Sequence, residues 1–457
     1  MSAVATRAEL VSTPEKANGR GWLELFVAVQ YCSTAVLLIP GTQPVRIFVR
    51  AFPYVLSLAM LYFIANTYKG RQRMSPGGML LTLALVLLAI NLLHPSTDLS
   101  AGVAQVVFQL SIAAPLYWAS RLRLDRARLD WLLWLIFVSN AASAVLGLLQ
   151  VYYPDTFMPP EFSAQALAMN PAAVESLSYR SVTGELITRP PGLTDMPGGA
   201  AVGALFTALL GLTFGSRAAL VWYKRAAYFG LAGVGLVTLY FTQVRSLLLM
   251  AGGAAVVMSV LLFRQRRVVQ AMTLAVMTAF LLVAAFAWAT AFGGASVYDR
   301  FIVIGETGVA LSFQENRGIF IEHTIDELLY EYPMGAGLGR WGMMRANFGS
   351  PGNPNEQIWV EIQMTGWLLD GGVLMWFTYG GALVLSLLFV YRQAAASEAR
   401  LAYSALTIFS LNLIVVGLTF AGPAFNTQLG IQYWFLTGLL YAAVRSARLA
   451  GVAPQSP

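Results

Sequence analysis

The chain is poor in groups that titrate, bind metals or cross-link. It holds one cysteine, Cys32, in 457 residues, so neither an internal disulfide nor a cysteine metal site can form. Its two histidines, His94 and His323, are too few for a histidine-rich metal centre. Charged residues make up 11% of the chain, against about 25% in a soluble domain. That shortage excludes a globular enzyme with a simple anchor. Nucleic acid is a poor partner despite the net charge of +7, because the basic residues sit in short clusters between apolar runs.

What is abundant is apolar sequence, at 57%. A helix needs about 20 apolar residues to cross a bilayer. Twelve segments qualify: 22–39, 48–66, 77–93, 101–119, 131–152, 197–214, 227–243, 246–263, 268–292, 371–391, 401–420 and 430–446. The expectation is an all-α integral membrane protein of about twelve transmembrane helices, one polytopic domain over 1–457. No small-residue cleavage site follows the first segment, which reads as a retained span rather than a signal peptide. Placing the N-terminus inside puts 20 of the 29 lysines and arginines on the inner side, as the positive-inside rule requires. Both termini are then cytoplasmic, and two long loops, 153–196 and 293–370, face outward.

Charge and glycine gather in three places. Arg245 is the only charged residue between Ala227 and Phe263. The turn TQVRS must therefore be tight, and Arg245 lies at the outer membrane boundary. There it either snorkels to headgroups or serves as an anion ligand in an outward cavity. The first outer loop ends RPPGLTDMPGGAA. Here Arg189 is either a solvated charge or a ligand, Pro197 suits a first helical turn, and Gly198, Gly199 and Gly203 allow close packing.

The second outer loop, the longest polar stretch, carries Arg300, Arg317, Arg340 and Arg345. Ile321, Ile325 and Leu328 repeat at helical spacing, so ENRGIFIEHTIDELLYEY reads as an amphipathic helix ended by Tyr332-Pro333. Cys32 is expected to be a packed, inert thiol. His323 is either structural or catalytic. Gly335, Gly337 and Gly339 permit positive backbone φ and present amides that can hold an anion. Glu356 and Glu361 fall on an expected short helix leading to the tenth span, and Asp370 at the membrane boundary. Each of these carboxylates either acts as a base or caps and solvates.

Four stretches within these places resemble the O-antigen polymerase and ligase family of bacterial membrane glycosyltransferases. RPPGLTDMPGGAA is similar to the family's arginine-glycine stretch before a middle span, and QVRSLLL to its serine-arginine turn. Arg317 followed by YPMGAGLG resembles its arginine, short helix and proline-glycine-x-glycine run. NEQIWVEIQMTG resembles its histidine-asparagine segment before a late span. Asn355 stands where the family's ligases carry a histidine, which favours a polymerase over a ligase, and Val244 replaces the family's serine.

The resemblance implies a GT-C-like transferase in the bacterial cytoplasmic membrane, acting on its outer face upon a polyprenyl-diphosphate-linked glycan. A chain-length regulator and a flippase would be its pathway partners. The implied diphosphate ligands are Arg245, Arg317 and Arg189, since guanidinium binds phosphate bidentately. Glu356 is the preferred base, with His323 and Glu361 as alternatives. The outer loops carry no acidic pair that compels a metal, so neither metal nor other cofactor is expected. A transporter is the competing class. It would use Asn91, Gln109, Asn140 and Asn412 as a polar path, where buried amides otherwise tie helices together.

Overall fold

The computed structural model describes residues 21–67, 74–160, 162, 177–350, 357–396 and 401–452. All twelve apolar segments are helical. They are α1 (Trp22–Cys32, prolonged by a 3-10 segment Ser33–Leu38), α2 (Arg46–Thr67), α3 (Gly78–Ile90), α4 (Leu99–Ala119) and α5 (Arg126–Tyr152). After a hairpin of β1 (Ser178–Arg180) and β2 (Leu186–Thr188) come α6 (Ala200–Gly215), α7 (Trp222–Thr242), α8 (Arg245–Arg264) and α9 (Val268–Thr307). The long polar stretch that follows holds α10 (309–331) and α11 (Gly342–Phe348), and after it come α12 (Gln363–Ala395), α13 (Ala402–Gly417) and α14 (Gln428–Val452). Among the described residues, seven helices are long and apolar enough to cross a membrane, and three shorter ones are apolar. The protein is a helical membrane protein.

Local chemistry sets the ends. Asp98 caps α4 by accepting from the Ala101 amide, and Asp125 caps α5 by accepting from Arg128 at 2.7 Å. Between α7 and α8 only Gln243 and Val244 remain, and Gln243 adopts φ 56°. The tight TQVRS turn is therefore real. Helix α6 begins at Ala200, so Pro197 lies in the turn before the helix rather than in its first turn. Cys32 is half-buried at the end of α1, less covered than its apolar context suggested.

Two groups of helices pack together. In one, α6 and α7 meet closely, with α5, α8 and α9 around them. Small residues make that approach possible: a Cβ on Gly235 would stand 2.6 Å from the Ala204 carbonyl, and one on Gly211 2.7 Å from that of Tyr228. In the other, α4 packs on α2 and α14, and α12 on α3 and α13. Trp118, Phe26 and Phe435 form one aromatic centre there, and Trp367, Tyr379, Phe425 and Trp434 another.

Four features depart from expectation. Helix α9 does not stop near 292; it breaks at Gly294 (φ 58°) and runs on to Thr307. Helix α12 starts at Gln363 and breaks at Gly371–Gly372, well inside its sequence. Residues 357–361 are not helical, and Ile358 and Val360 pack against the cluster of Ala336, Trp341 and Leu369. Helix α10 is present, but two π-turns at Gln314–Gly318 and Thr324–Leu328 shift its phase. Its buried positions are Gly318, Thr324 and Leu328, while Ile325 is exposed.

Candidate functional site

The stretch RPPGLTDMPGGAA is built into the bundle. Gln150, fully buried on α5, holds Gly192 from both sides: its amide donates to the Gly192 carbonyl at 3.0 Å and its oxygen accepts the Gly192 amide at 2.7 Å. Gly192 has φ 65°, and a Cβ there would stand 2.5 Å from the Ser143 hydroxyl, so only glycine fits. The loop closes on itself where the Gly198 amide donates to the Arg189 carbonyl at 3.0 Å. It is pinned by Asp195, which is wholly buried and ion-paired at 2.6 Å with both Arg46 and Arg50. Neither Gln150 nor Asp195 carried a local signal in the sequence.

Arg189 is thereby fixed in place. Burial pushes its guanidinium down to about 10, and the charge of Arg300 acts in the same direction. Arg300 lies past the Gly294 break of α9, and its Nε donates to the Gln243 carbonyl at 3.1 Å. The turn that sets Arg245 at the first position of α8 thus also holds Arg300, and Arg245 acts electrostatically on Arg300. Three guanidiniums from three distant stretches of chain gather in this way. Among the described residues, no carboxylate pairs with any of them.

Three buried polar atoms in this region lack a protein partner: Arg189 Nε, the Tyr179 hydroxyl and Gln243 Nε2. Tyr179 belongs to β1 and lies within electrostatic reach of both Arg189 and Tyr152. Burial raises its phenol well above the ordinary tyrosine value, Tyr152 adds to this, and Arg189 opposes it. It is therefore a neutral donor at any physiological pH. The hairpin is tied to α9 by the Val182 amide, which donates to the Phe292 carbonyl at 3.1 Å. Next to that tie an apolar groove opens between α5 and α9, lined by Tyr152, Ala284, Trp288, Ala291 and Phe292. The site is thus a cluster of unbalanced positive charge beside an open apolar groove.

Other expected site residues lie elsewhere. Arg317 pairs with Glu361, whose second oxygen accepts from Trp359 Nε1 at 2.9 Å. Among the described residues nothing joins that pair to the Arg189 cluster. His323 is half-exposed on α10 and bonds Glu327 at 3.0 Å, one turn along the same helix. Glu356 lies outside the described residues. Arg345 pairs with Asp98 at 3.2 Å, and Arg340 donates to the Ala336 carbonyl at 3.2 Å.

The glycine run has the predicted positive φ at Gly335, Gly337 and Gly339 (100°, 88° and 73°), but it serves packing. The Ala336 amide donates to Leu369 and the Leu338 amide to the Thr97 hydroxyl. A Cβ on Gly337 would meet His94 Nδ1 and the Thr97 nitrogen, each at 2.9 Å. The run threads between the α12 break and the start of α4. Asp370 is buried beneath it, accepting from Trp341 Nε1 at 2.7 Å and Gln105 Nε2 at 3.0 Å. Among the described residues, no three His, Cys, Asp or Glu side chains converge as a metal-ligand set.

No protein-family model matches the chain, and no curated protein is significantly similar to it.

Proposed function

We propose that the protein is a membrane glycosyltransferase that takes glycan from a polyprenyl-diphosphate-linked donor. In this reading it polymerises repeat units of an O-antigen or exopolysaccharide at the outer face of a bacterial cytoplasmic membrane, with twelve spans and both termini inside. The observation that carries the reading is the group of Arg189, Arg245 and Arg300, lacking a described carboxylate and lying beside an apolar groove. Like charges brought together out of water are costly without an anion between them. An anion joined to an apolar chain would satisfy both halves of the site. A polyprenyl diphosphate is such a molecule, and its resemblance-based assignment rests on RPPGLTDMPGGAA and QVRSLLL.

The chemistry is nucleophilic substitution. The acceptor hydroxyl oxygen attacks the anomeric carbon of the donor sugar. The bond from that carbon to the phosphate oxygen breaks, and the lipid diphosphate leaves with the electron pair. Fixed guanidiniums stabilise its growing charge, and Tyr179 adds a neutral donor. The hydroxyl proton goes to a general base, for which Glu356 is our assignment, and attack opposite the leaving group inverts the carbon. Arg300 takes a place beside Arg189 and Arg245; Arg317, already paired with Glu361, would have to exchange partners to reach the diphosphate.

The competing transporter reading needs a polar path. Asn91, Gln109 and Asn412 instead bond to neighbouring segments, at Asp370, Asn426 and Thr437, and Asn140 to its own helix. A ligase differs in its acceptor, and Asn355 in place of the family's histidine favours the polymerase. The test is polymerisation of purified lipid-linked repeat units by the purified protein. Arg245→Gln and Glu356→Gln should abolish chain growth while the protein still inserts and folds. Full activity in both variants would overturn the assignment, and lipid-linked polymer accumulating in a deletion strain would point to a ligase. Activity should survive a chelator; loss restored by magnesium or manganese would reject the metal-independent mechanism.

A further inference from the structure

At the opposite end of the bundle, a second pocket opens between the starts of α5, α7, α9 and α13. It is lined by Arg126, Arg217, Leu220, Arg267, Gln270 and Tyr403. Helix α7 separates this end from the Arg189 cluster by about 30 Å, at about 1.5 Å per residue. Arg217 stacks over Phe214 and Tyr403, with its guanidinium carbon 4.7 and 5.3 Å from the ring centres. Arg267 lies over Tyr403 at 5.9 Å. The rings orient both guanidiniums without neutralising them.

The charge there is unbalanced. Asp130 is the carboxylate that meets the lining arginines among the described residues, at 3.3 Å from Arg217 and 3.8 Å from Arg126. Arg225 adds a further cation, donating to the Arg217 carbonyl at 3.1 Å. The buried Nε atoms of Arg217 and Arg225 have no partner. Planar guanidiniums held on aromatic faces, with free donors and one shared carboxylate, match a phosphate group. The position at the arginine-rich end of membrane-crossing helices also matches the depth of a phospholipid headgroup.

We propose that this pocket is a phosphate-binding site, independent of the transfer site, and that Arg217 and Arg267 hold its ligand. The test uses the purified full-length protein in detergent and measures binding of dioctanoyl phosphatidylglycerol, dioctanoyl phosphatidylcholine and inorganic phosphate. Phosphatidylglycerol should bind at least about tenfold tighter than phosphatidylcholine, the scale of one charge-assisted hydrogen bond. Arg267→Gln breaks no described ion pair, and it should weaken binding about five- to tenfold. Arg267→Lys should retain most of the affinity, and Arg264→Gln, outside the pocket, should leave it unchanged.

If inorganic phosphate binds saturably, displaces the lipid and loses affinity in Arg267→Gln, free phosphate is the occupant. If phosphate does not compete, the lipid headgroup is. Equal weak binding of both lipids with no phosphate binding, or full affinity in Arg267→Gln, would overturn the proposal.

Discussion

Replacing Arg189 with glutamine should move stability and activity in opposite directions. In the empty protein Arg189 is a liability: burial and the charge of Arg300 hold its guanidinium down at about 10, and its buried Nε bonds nothing. Discounted for partial solvent screening, that depression is worth on the order of 1–2 kcal/mol against the folded state. The variant removes the charge and one unsatisfied donor, so its thermal midpoint should hold or rise. The sign of the pH dependence follows from a folded value below the unfolded one. The charge is carried in both states below about pH 10, where the cost is constant, and the cost lapses only as the pH rises above that value. The stability gain of Arg189→Gln should therefore be flat from about pH 6 to 9.

With the diphosphate bound, the same guanidinium becomes an asset. Loss of one charge-assisted bond to a developing anion costs about 1.5–3 kcal/mol, which is roughly ten- to a hundredfold in rate. The assay is chain growth from purified lipid-linked repeats, paired with a melting curve of the same preparation. Unchanged transfer, or a fall in midpoint that tracks the fall in activity, would refute the reasoning.

Other outcomes follow from the same structure. Tyr179→Phe removes a hydroxyl without a protein partner, so folding should be unaffected while transfer falls about five- to tenfold, the value of one neutral hydrogen bond; unchanged turnover would take Tyr179 out of the site. Asp195→Asn strands Arg46 and Arg50, and breaking a buried pair costs about 3–5 kcal/mol; the yield of folded, detergent-stable protein should collapse, and recover in part when Arg46→Gln is added. Gly337→Ala places a methyl against His94 and Thr97 at φ 88° and should lower the melting midpoint sharply, whereas His323→Ala, on a solvent-facing pair, should alter neither midpoint nor transfer.

The helical segments were legible because apolar runs of membrane length admit few alternatives. The TQVRS turn was legible from the lone charge at Arg245, and the three positive-φ glycines from their spacing. What escaped depended on packing or on phase. The π-turns in α10 insert residues that a 3.6-residue count does not anticipate, so Ile325 was placed on the wrong face. Residues 357–361 are not helical, although the neighbouring carboxylates suggested a helix. Arg300 looked like one loop charge among several, because only the extension of α9 past Gly294 carries it to the Gln243 carbonyl. Tyr179 had no local signal at all: a three-residue strand in a polar loop becomes informative only once it is buried beside Arg189. Arg317 was grouped with Arg245 by motif, but Glu361 holds it elsewhere.

The most direct measurement is the affinity of the purified protein for a polyprenyl diphosphate, set against the matching polyprenyl alcohol, in wild type and in Arg189→Gln, Arg245→Gln and Arg300→Gln. The account predicts that the diphosphate binds far more tightly than the alcohol and that each substitution removes about tenfold or more of that preference. Equal binding of diphosphate and alcohol by the wild type, or an undiminished preference in all three variants, would contradict it.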